Sequence, residues 1–180
     1  MVNLNPMRSL ITTANLIVGK SGATTSSGSS IGLSTTEDRI RFNKLRQVAD
    51  LIVIGGNTAR REPYKRTPIP LYILTHAKVR LQPNNHLAKQ FSMSATDLFN
   101  KIRSSFPPLD SSEPIRVLVE AGPTLLQTLI DLSLIDNLYL TTNLEKDGEN
   151  QILVESLISR FQLVNREIIQ ECQFDYYRKP

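Results

Sequence analysis

Residues 117–124 read VLVEAGPT, and residues 51–58 read LIVIGGNT. Each is an apolar run without polar alternation that breaks into a glycine turn. Short runs of this kind belong to strands covered on both faces, as in a parallel sheet. There the two turns leave the carboxyl ends of their strands, the edge at which open α/β folds bind ligands. Glycine lets the backbone approach an anion closely, and a helix starting at the turn offers it free amides and a positive dipole end. Pro123 suits the first position of such a helix, because its missing amide would have no partner there. Neither turn matches GxGxxG or GxxxxGK[ST], so a standard Rossmann or ATPase phosphate site is not expected. Each turn alone reads first as a plain strand-to-helix connection. Together on one edge, Gly55, Gly56 and Thr58 with Gly122, Pro123 and Thr124 suit a dinucleotide diphosphate.

Working outward, Leu10 to Val18 is a β-rich run, and Gly19 to Ser30 is small, polar and glycine-broken, hence a loop. Ser34-Thr35-Thr36-Glu37 matches a capping box with Ser34 as the cap, and the helix after it carries Phe42, Leu45, Val48 and Ala49 on one stripe to about Asp50. Strands are predicted at Leu71 to Thr75, more weakly at Leu87 to Met93, and at Ile115 to Val119 and Asn137 to Thr141. Ala95, Leu98, Phe99 and Ile102 form one helical stripe, and Leu125, Leu126, Leu129 and Ile130 another. Ser104 to Pro114, with three prolines, reads as an extended surface loop. Phe161 to Ile169 and Cys172 to Tyr177 alternate like an antiparallel hairpin. The class is α/β, with a mostly parallel central sheet and an antiparallel C-terminal hairpin at its edge.

The 180 residues, 40% apolar and 21% charged, set the expectation of one globular domain spanning 1–180. Cys172 is the lone cysteine, so no intrachain disulfide framework can form. Besides it stand only His76 and His86, and no carboxylates cluster at metal-ligand spacing, so no metal is expected. A reducing cytoplasm fits this chemistry. No stretch approaches ~18 consecutive apolar residues, and Met1 to Arg8 lacks the order of a signal peptide, so no membrane association is expected. Twenty-one Lys+Arg against 17 Asp+Glu leave a charge of +4, which fits a phosphorylated small molecule as well as nucleic acid. Nucleic acid is disfavoured because aromatics make up only 6% and no basic face recurs at helical spacing.

Arg60, Arg61, Lys65 and Arg66 follow the first glycine turn. Arginine pairs bidentately with phosphate, so this is either a site for a cofactor 2′-phosphate or sugar phosphate, or a solvated basic loop. Glu120 ends an apolar strand inside the sheet, a costly place for a carboxylate unless it is paired or faces a ligand. Arg46 has the ordinary surface neighbours Arg41 and Lys44, and its reading stays open between surface and site. Cys172 reads as a small buried hydrophobe in the hairpin. No Ser-His-Asp or Cys-His arrangement is apparent.

Residues 119–140, VEAGPTLLQTLIDLSLIDNLYL, resemble the signature of the reductase domain of riboflavin biosynthesis, the C-terminal half of the bifunctional deaminase–reductase. The segment from Ser27 to Pro63 is similar to that family in its Ser-Gly, its helix ending in Leu45-Arg46, its apolar strand, and Thr58 ahead of Glu62-Pro63. The resemblance implies a dihydrofolate-reductase-like three-layer α/β/α fold and a homodimer. It also implies NADPH-dependent reduction of 5-amino-6-(5-phosphoribosylamino)uracil. Carried over by position, Thr58 and the Gly122-Pro123-Thr124-Leu125 turn resemble cofactor contacts, with Ala14 at the first strand beside them. Gly32 falls where relatives often carry an aromatic residue near the cofactor. Ser30, Arg46 and Glu120 fall where the family contacts substrate, and Arg66 matches a substrate-phosphate arginine in a loop one residue shorter.

The chain also departs from the pattern. Leu16-Ile17-Val18-Gly19 stands where the family reads Leu-Asp-Gly, so the first-strand carboxylate is missing. Asn137 replaces an acidic residue, and residues 143–148 (NLEKDG) replace a Pro and Leu-Gly segment. Two further readings therefore stand beside the first. One is a related reductase acting on another heterocycle or carbonyl compound, and the other is a non-catalytic nucleotide-binding protein.

Overall fold

The computed structural model describes residues 8–108 and 111–180. The chain begins with β1 (Leu10–Val18), β2 (Ala23–Thr25), α1 (Thr36–Val48), β3 (Leu51–Gly55), α2 (Gly56–Arg61) and β4 (Leu71–Leu74). It continues through β5 (Ala88–Phe91), α3 (Ala95–Ser105), β6 (Ile115–Val119), α4 (Pro123–Asp131) and β7 (Asn137–Asn143). It closes with β8 (Glu149–Gln151), α5 (Val154–Ile158), β9 (Gln162–Ile169) and β10 (Cys172–Arg178). Eight strands form one sheet in the order β5-β4-β3-β6-β1-β7-β10-β9. The strands from β5 to β7 in this order run parallel, and β10 and β9 are antiparallel, as the patterning predicts.

β3 shows why its sequence carries no alternation. Leu51 and Val53 face a larger core, Ile52 and Ile54 a smaller one, and all four are fully buried. The larger core joins them to Val117 and Val119 of β6, to Leu98, Phe99 and Ile102 of α3, and to Leu126, Leu129 and Ile130 of α4. Each such side chain contributes about 1.5–3 kcal/mol by leaving water. The smaller core holds Ala59 of α2 and Tyr64 against Leu71 and Ile73. Helices therefore lie on both faces of the sheet.

The predicted stripe on α1 is not a core face. Phe42 and Leu45 are only half-buried, Val48 is 64% exposed, and Asp38 is the buried residue of this helix. α1 is held by polar contacts instead. Arg46 pairs with Glu120, and Arg41 pairs with Glu167 while lying 4.0 Å over the Phe174 ring. The cap also sits one residue later than the capping box suggests. Thr35 Oγ1 accepts from the Asp38 amide at 3.3 Å, and the Ser34 hydroxyl donates to the Asp38 carboxylate at 2.5 Å.

The predicted loop from Gly19 to Ser30 contains β2, which pairs antiparallel with β8. Neither strand shows in the sequence, because each is three residues long and β8 is wholly polar and exposed. α5 has no sequence prediction, and Leu125 of α4 is half-buried rather than core. α3 runs to Ser105, two residues into the loop predicted over Ser104 to Pro114; positions 109–110 of that loop, like Met1 to residue 7, lie outside the described residues. No helix among the described residues is long and apolar enough to cross a membrane.

This packing has a direct test. Phe99→Ala removes a ring that is 1% exposed and is expected to cost about 3–5 kcal/mol in denaturant unfolding. Val48→Ala, on the stripe that the periodicity marks as core, is expected to change stability by about 0.5 kcal/mol or less.

Candidate active site

β3 and β6 are adjacent and parallel, with Ile52 opposite Leu118 and Val53 opposite Val119. Their glycine turns therefore emerge side by side, and one hydrogen bond joins them: the Gly122 amide donates to Thr58 Oγ1 at 3.1 Å. Gly122 is the N-cap of α4 and supplies no side-chain cap to the helix. A Cβ at Gly122 would meet only Thr58 Oγ1, at the ordinary contact distance of 3.6 Å, so the backbone there is not crowded. Gly56 is different. A Cβ there would stand 2.4 Å from Thr75 Oγ1, so glycine is needed for α2 to start against the end of β4.

A cavity of about 670 Å³ opens at this edge, within the size range of small-molecule and cofactor sites. Most of the residues singled out in the sequence line it. Gly55, Gly56, Thr58 and the turn from Gly122 to Leu125 form one wall, with Ser30, Arg46 and Glu120 on another. Three do not line it. Ala14 is fully buried in the larger core, because its position on β1 faces α3 and α4. Gly32 packs on Ser26, whose carbonyl oxygen would lie 2.6 Å from a Cβ there. Arg66 is exposed and off the cavity; Arg61 of the same basic cluster lines it, and Arg60 is tied to Asn57 at 3.2 Å.

Glu120 sits at the centre. Arg46 donates to it through Nε and Nη2, both at 2.7 Å, and the Tyr64 hydroxyl donates at 2.6 Å. The Glu120 side chain is 3% exposed and that of Arg46 19%. The Arg46 guanidinium also lies 4.3 Å over the Phe42 ring. Burial works against the charge on Arg46, but the hydrogen bonds and charge of Glu120 outweigh it and raise the arginine pKa. Burial, then the charge and hydrogen bond of Glu120, hold the Tyr64 hydroxyl well above its ordinary value near 10.0. Tyr64 is anchored from behind by Asn85, whose side-chain amide donates to the Tyr64 carbonyl at 2.9 Å.

The sequence reading missed Asp38 and Tyr64 at this cavity. The signal for Asp38 was present: Asp38, Phe42 and Arg46 recur at i, i+4 and i+8, which places them on one helix face. Tyr64 carried no such signal, because only the path of the loop after α2 brings it under Glu120. The loop that lines the cavity at Ser30 is pinned by Glu62, which accepts from the Ser29 hydroxyl at 2.9 Å and the Ser30 amide at 2.8 Å. Val18, where the resembled family has its aspartate, is 1% exposed in the larger core. Asn137 accepts from the Tyr176 hydroxyl at 2.8 Å, and Asn143 holds the Leu33 carbonyl at 2.8 Å, so both replacements serve packing here.

The fold is that of dihydrofolate reductase. A pyrimidine reductase-like protein from Corynebacterium diphtheriae superposes with a TM-score of 0.68 at 18% identity, over 95% of this chain and 92% of that one. A diaminohydroxyphosphoribosylaminopyrimidine deaminase/5-amino-6-(5-phosphoribosylamino)uracil reductase from Thermotoga maritima gives 0.71 at 12% identity, over 96% of this chain and 57% of that one. Dihydrofolate reductase from Enterococcus faecalis, complexed with NADP(H), gives 0.66 at 15% identity, over 94% and 96%. No protein-family model matches the sequence, and no curated protein does. The resemblance to riboflavin-biosynthesis reductases holds at the level of the fold.

Glu120→Gln leaves the Arg46 charge without its partner and is expected to cost about 3 kcal/mol of stability. Tyr64→Phe removes one hydrogen bond and is expected to cost about 1–2 kcal/mol. Because folding raises the Tyr64 pKa, its contribution is whole below pH 10.0, the unfolded value, and falls as pH rises beyond it. Unfolding curves across that range are expected to show a smaller alkaline loss in Tyr64→Phe than in the wild type.

Proposed function

We propose that the chain is an NADPH-dependent reductase acting on a phosphorylated ribosylaminopyrimidine, with 5-amino-6-(5-phosphoribosylamino)uracil as the first candidate. The hydrogen bond from Gly122 to Thr58 carries this reading, because it locks two glycine turns into one rim beside the cavity. The residues present suit the cofactor. α4 opens without a side-chain cap and with Gly122 uncrowded at the cavity wall, an arrangement fit for a diphosphate. Gly55 and Leu125 form an apolar shoulder next to it, with a Cβ at Gly55 only 3.2 Å from Leu125 Cδ2. Arg61 lines the cavity with no carboxylate partner among the described residues, and is available to a 2′-phosphate.

When bound, NADPH supplies the hydride. The chain's own residues orient the substrate and exclude water. Glu120 fixes the plane of Arg46, so the arginine meets a phosphate or ribose hydroxyl without first being ordered. Its Nη1 makes no hydrogen bond to a described residue and remains available. Ser30 joins it from the loop that Glu62 pins. Orientation of this kind accounts for about 7–11 kcal/mol of barrier in well-aligned intramolecular systems.

The same fold acting on another heterocycle is the second reading. Two observations favour it: Glu120 already has three internal hydrogen bonds, and Val18 lies in the core. A homodimer belongs to the same proposal. β9 is an edge strand exposed along its whole length, including Leu163, Val164 and Ile168, and such an edge invites a partner.

Fluorescence titration with NADPH followed by turnover of the pathway substrate tests the reading. Thr58→Val and Gly122→Leu are each expected to weaken NADPH about tenfold or more. Unchanged affinity in both variants would remove the site assignment, and no NADPH binding by the wild type would remove the reductase reading. Binding without turnover of the pathway substrate or related heterocycles would leave the nucleotide-binding reading.

A further inference from the structure

We propose that the surface built from residues 60–92 is a cationic approach face, which draws the anionic cofactor toward the cavity and sets its rate of association. This rests on the reductase reading above and gives a role to side chains that do not line the site.

The charge of the chain is divided unevenly. Residues 60–92 hold seven of the 21 Lys+Arg but only one of the 17 Asp+Glu, so this stretch carries a formal +6 and the rest of the chain −2. All seven cations are exposed. The four ion pairs among the described residues lie elsewhere, at Arg41, Arg46, Arg160 and Arg166. The one carboxylate of the stretch, Glu62, accepts from Ser29 and Ser30 and not from a cation.

The fold gathers these charges beside the cavity. α2 and the two segments 62–70 and 77–87 cover the smaller core, against which Ala59, Tyr64, Ile69 and Leu81 pack. Gln82 ties the second segment to α2, because its side-chain amide donates to the carbonyls of Ala59 at 2.6 Å and Glu62 at 3.2 Å. Gln90 of β5 donates to the carbonyls of Ala77 at 2.7 Å and Val79 at 3.1 Å, which fixes the backbone on both sides of Lys78. Lys78 and Arg80 are thereby held in the same layer as Arg60 and Arg61, and Arg61 lines the cavity. Lys89 sits on the opposite face, in register with Tyr72 of the larger core.

An anion that nears this end of the sheet meets one sign of charge. Such fields reach about 8 Å at physiological ionic strength and about 30 Å at 0.01 M. They raise association rates by about ten- to a thousandfold. The ligand they suit is a small anion, because the stretch shows no aromatic surface on which the bases of a nucleic acid could stack: Tyr64 and Tyr72 are buried and Phe91 is half-buried. NADPH fits through its diphosphate and 2′-phosphate.

Stopped-flow fluorescence of NADPH association and dissociation across ionic strength tests the proposal. Lys78→Glu with Arg80→Glu reverses two charges that do not line the cavity. This variant is expected to associate about tenfold more slowly than the wild type near 0.01 M salt. Its dissociation is expected to change by less than about twofold, and the two association rates to converge as salt rises toward about 1 M. Lys101→Glu with Lys179→Glu makes the same change of net charge from α3 and from beyond β10, and is expected to stay within about twofold of the wild type. Should the reversal variant fail to fold, Lys78→Gln with Arg80→Gln removes the charges alone, and a slowing of about threefold is expected. Wild-type association that ignores salt, an equal loss in the Lys101 and Lys179 variant, or a loss confined to dissociation would overturn the proposal. NADPH binding without these dependences removes the approach face and leaves the reductase reading, whereas no binding by the wild type removes both.

Discussion

A carboxylate at the end of a strand buried on both faces must be neutralised where it stands, and Glu120 is neutralised by groups from two other parts of the chain. Arg46 comes from the helix before β3, and Tyr64 from the loop after α2. The three side chains tie α1, β6 and the segment beyond α2 to one point. α1 buries little apolar surface, and it meets the rest of the fold through this ion pair and the contact of Arg41 with β9 and β10.

The sheet is asymmetric for the same reason. One face carries a large continuous core under α3, α4 and α5, and the other a small core near β3 and β4, with polar contacts beneath α1. The cavity lies where the apolar packing on that second face ends. Its floor is strand backbone, one wall is the polar face of α1, and its rim is the pair of glycine turns. Buried strands thus hold the turns, while the segment from Thr25 to Ser30, tied to Glu62 and Glu149, contributes Thr25 and Ser30 to the lining. Sites built this way keep their geometry because the elements that hold them are the most buried parts of the chain.

Much of this was legible from residue patterns. The continuous apolar runs announced strands covered on both sides, and β1, β3, β4, β6, α3 and α4 lie where those patterns put them. The glycine turns were legible as a pair because two similar strand-to-turn sequences in a parallel sheet must end at one edge. α1 misled the reading: its periodic stripe resembles a core face, but the layer it faces is polar, so the stripe stays half in water. Short polar strands such as β2 and β8 gave no signal, since their pairing depends on where the rest of the chain delivers them.

The sequence by itself therefore determined the class of fold, the parallel core and the edge where a ligand would sit, because those follow from local periodicity and from burial of apolar strands. Only the tertiary structure decided which charges face each other. It committed Glu120, at the cavity wall, to Arg46 and Tyr64, placed Val18 in the core, and left Asp38 Oδ1 without a hydrogen bond from any described residue. Pairing between side chains more than fifty residues apart depends on the path of the whole chain, and no local pattern encodes that path.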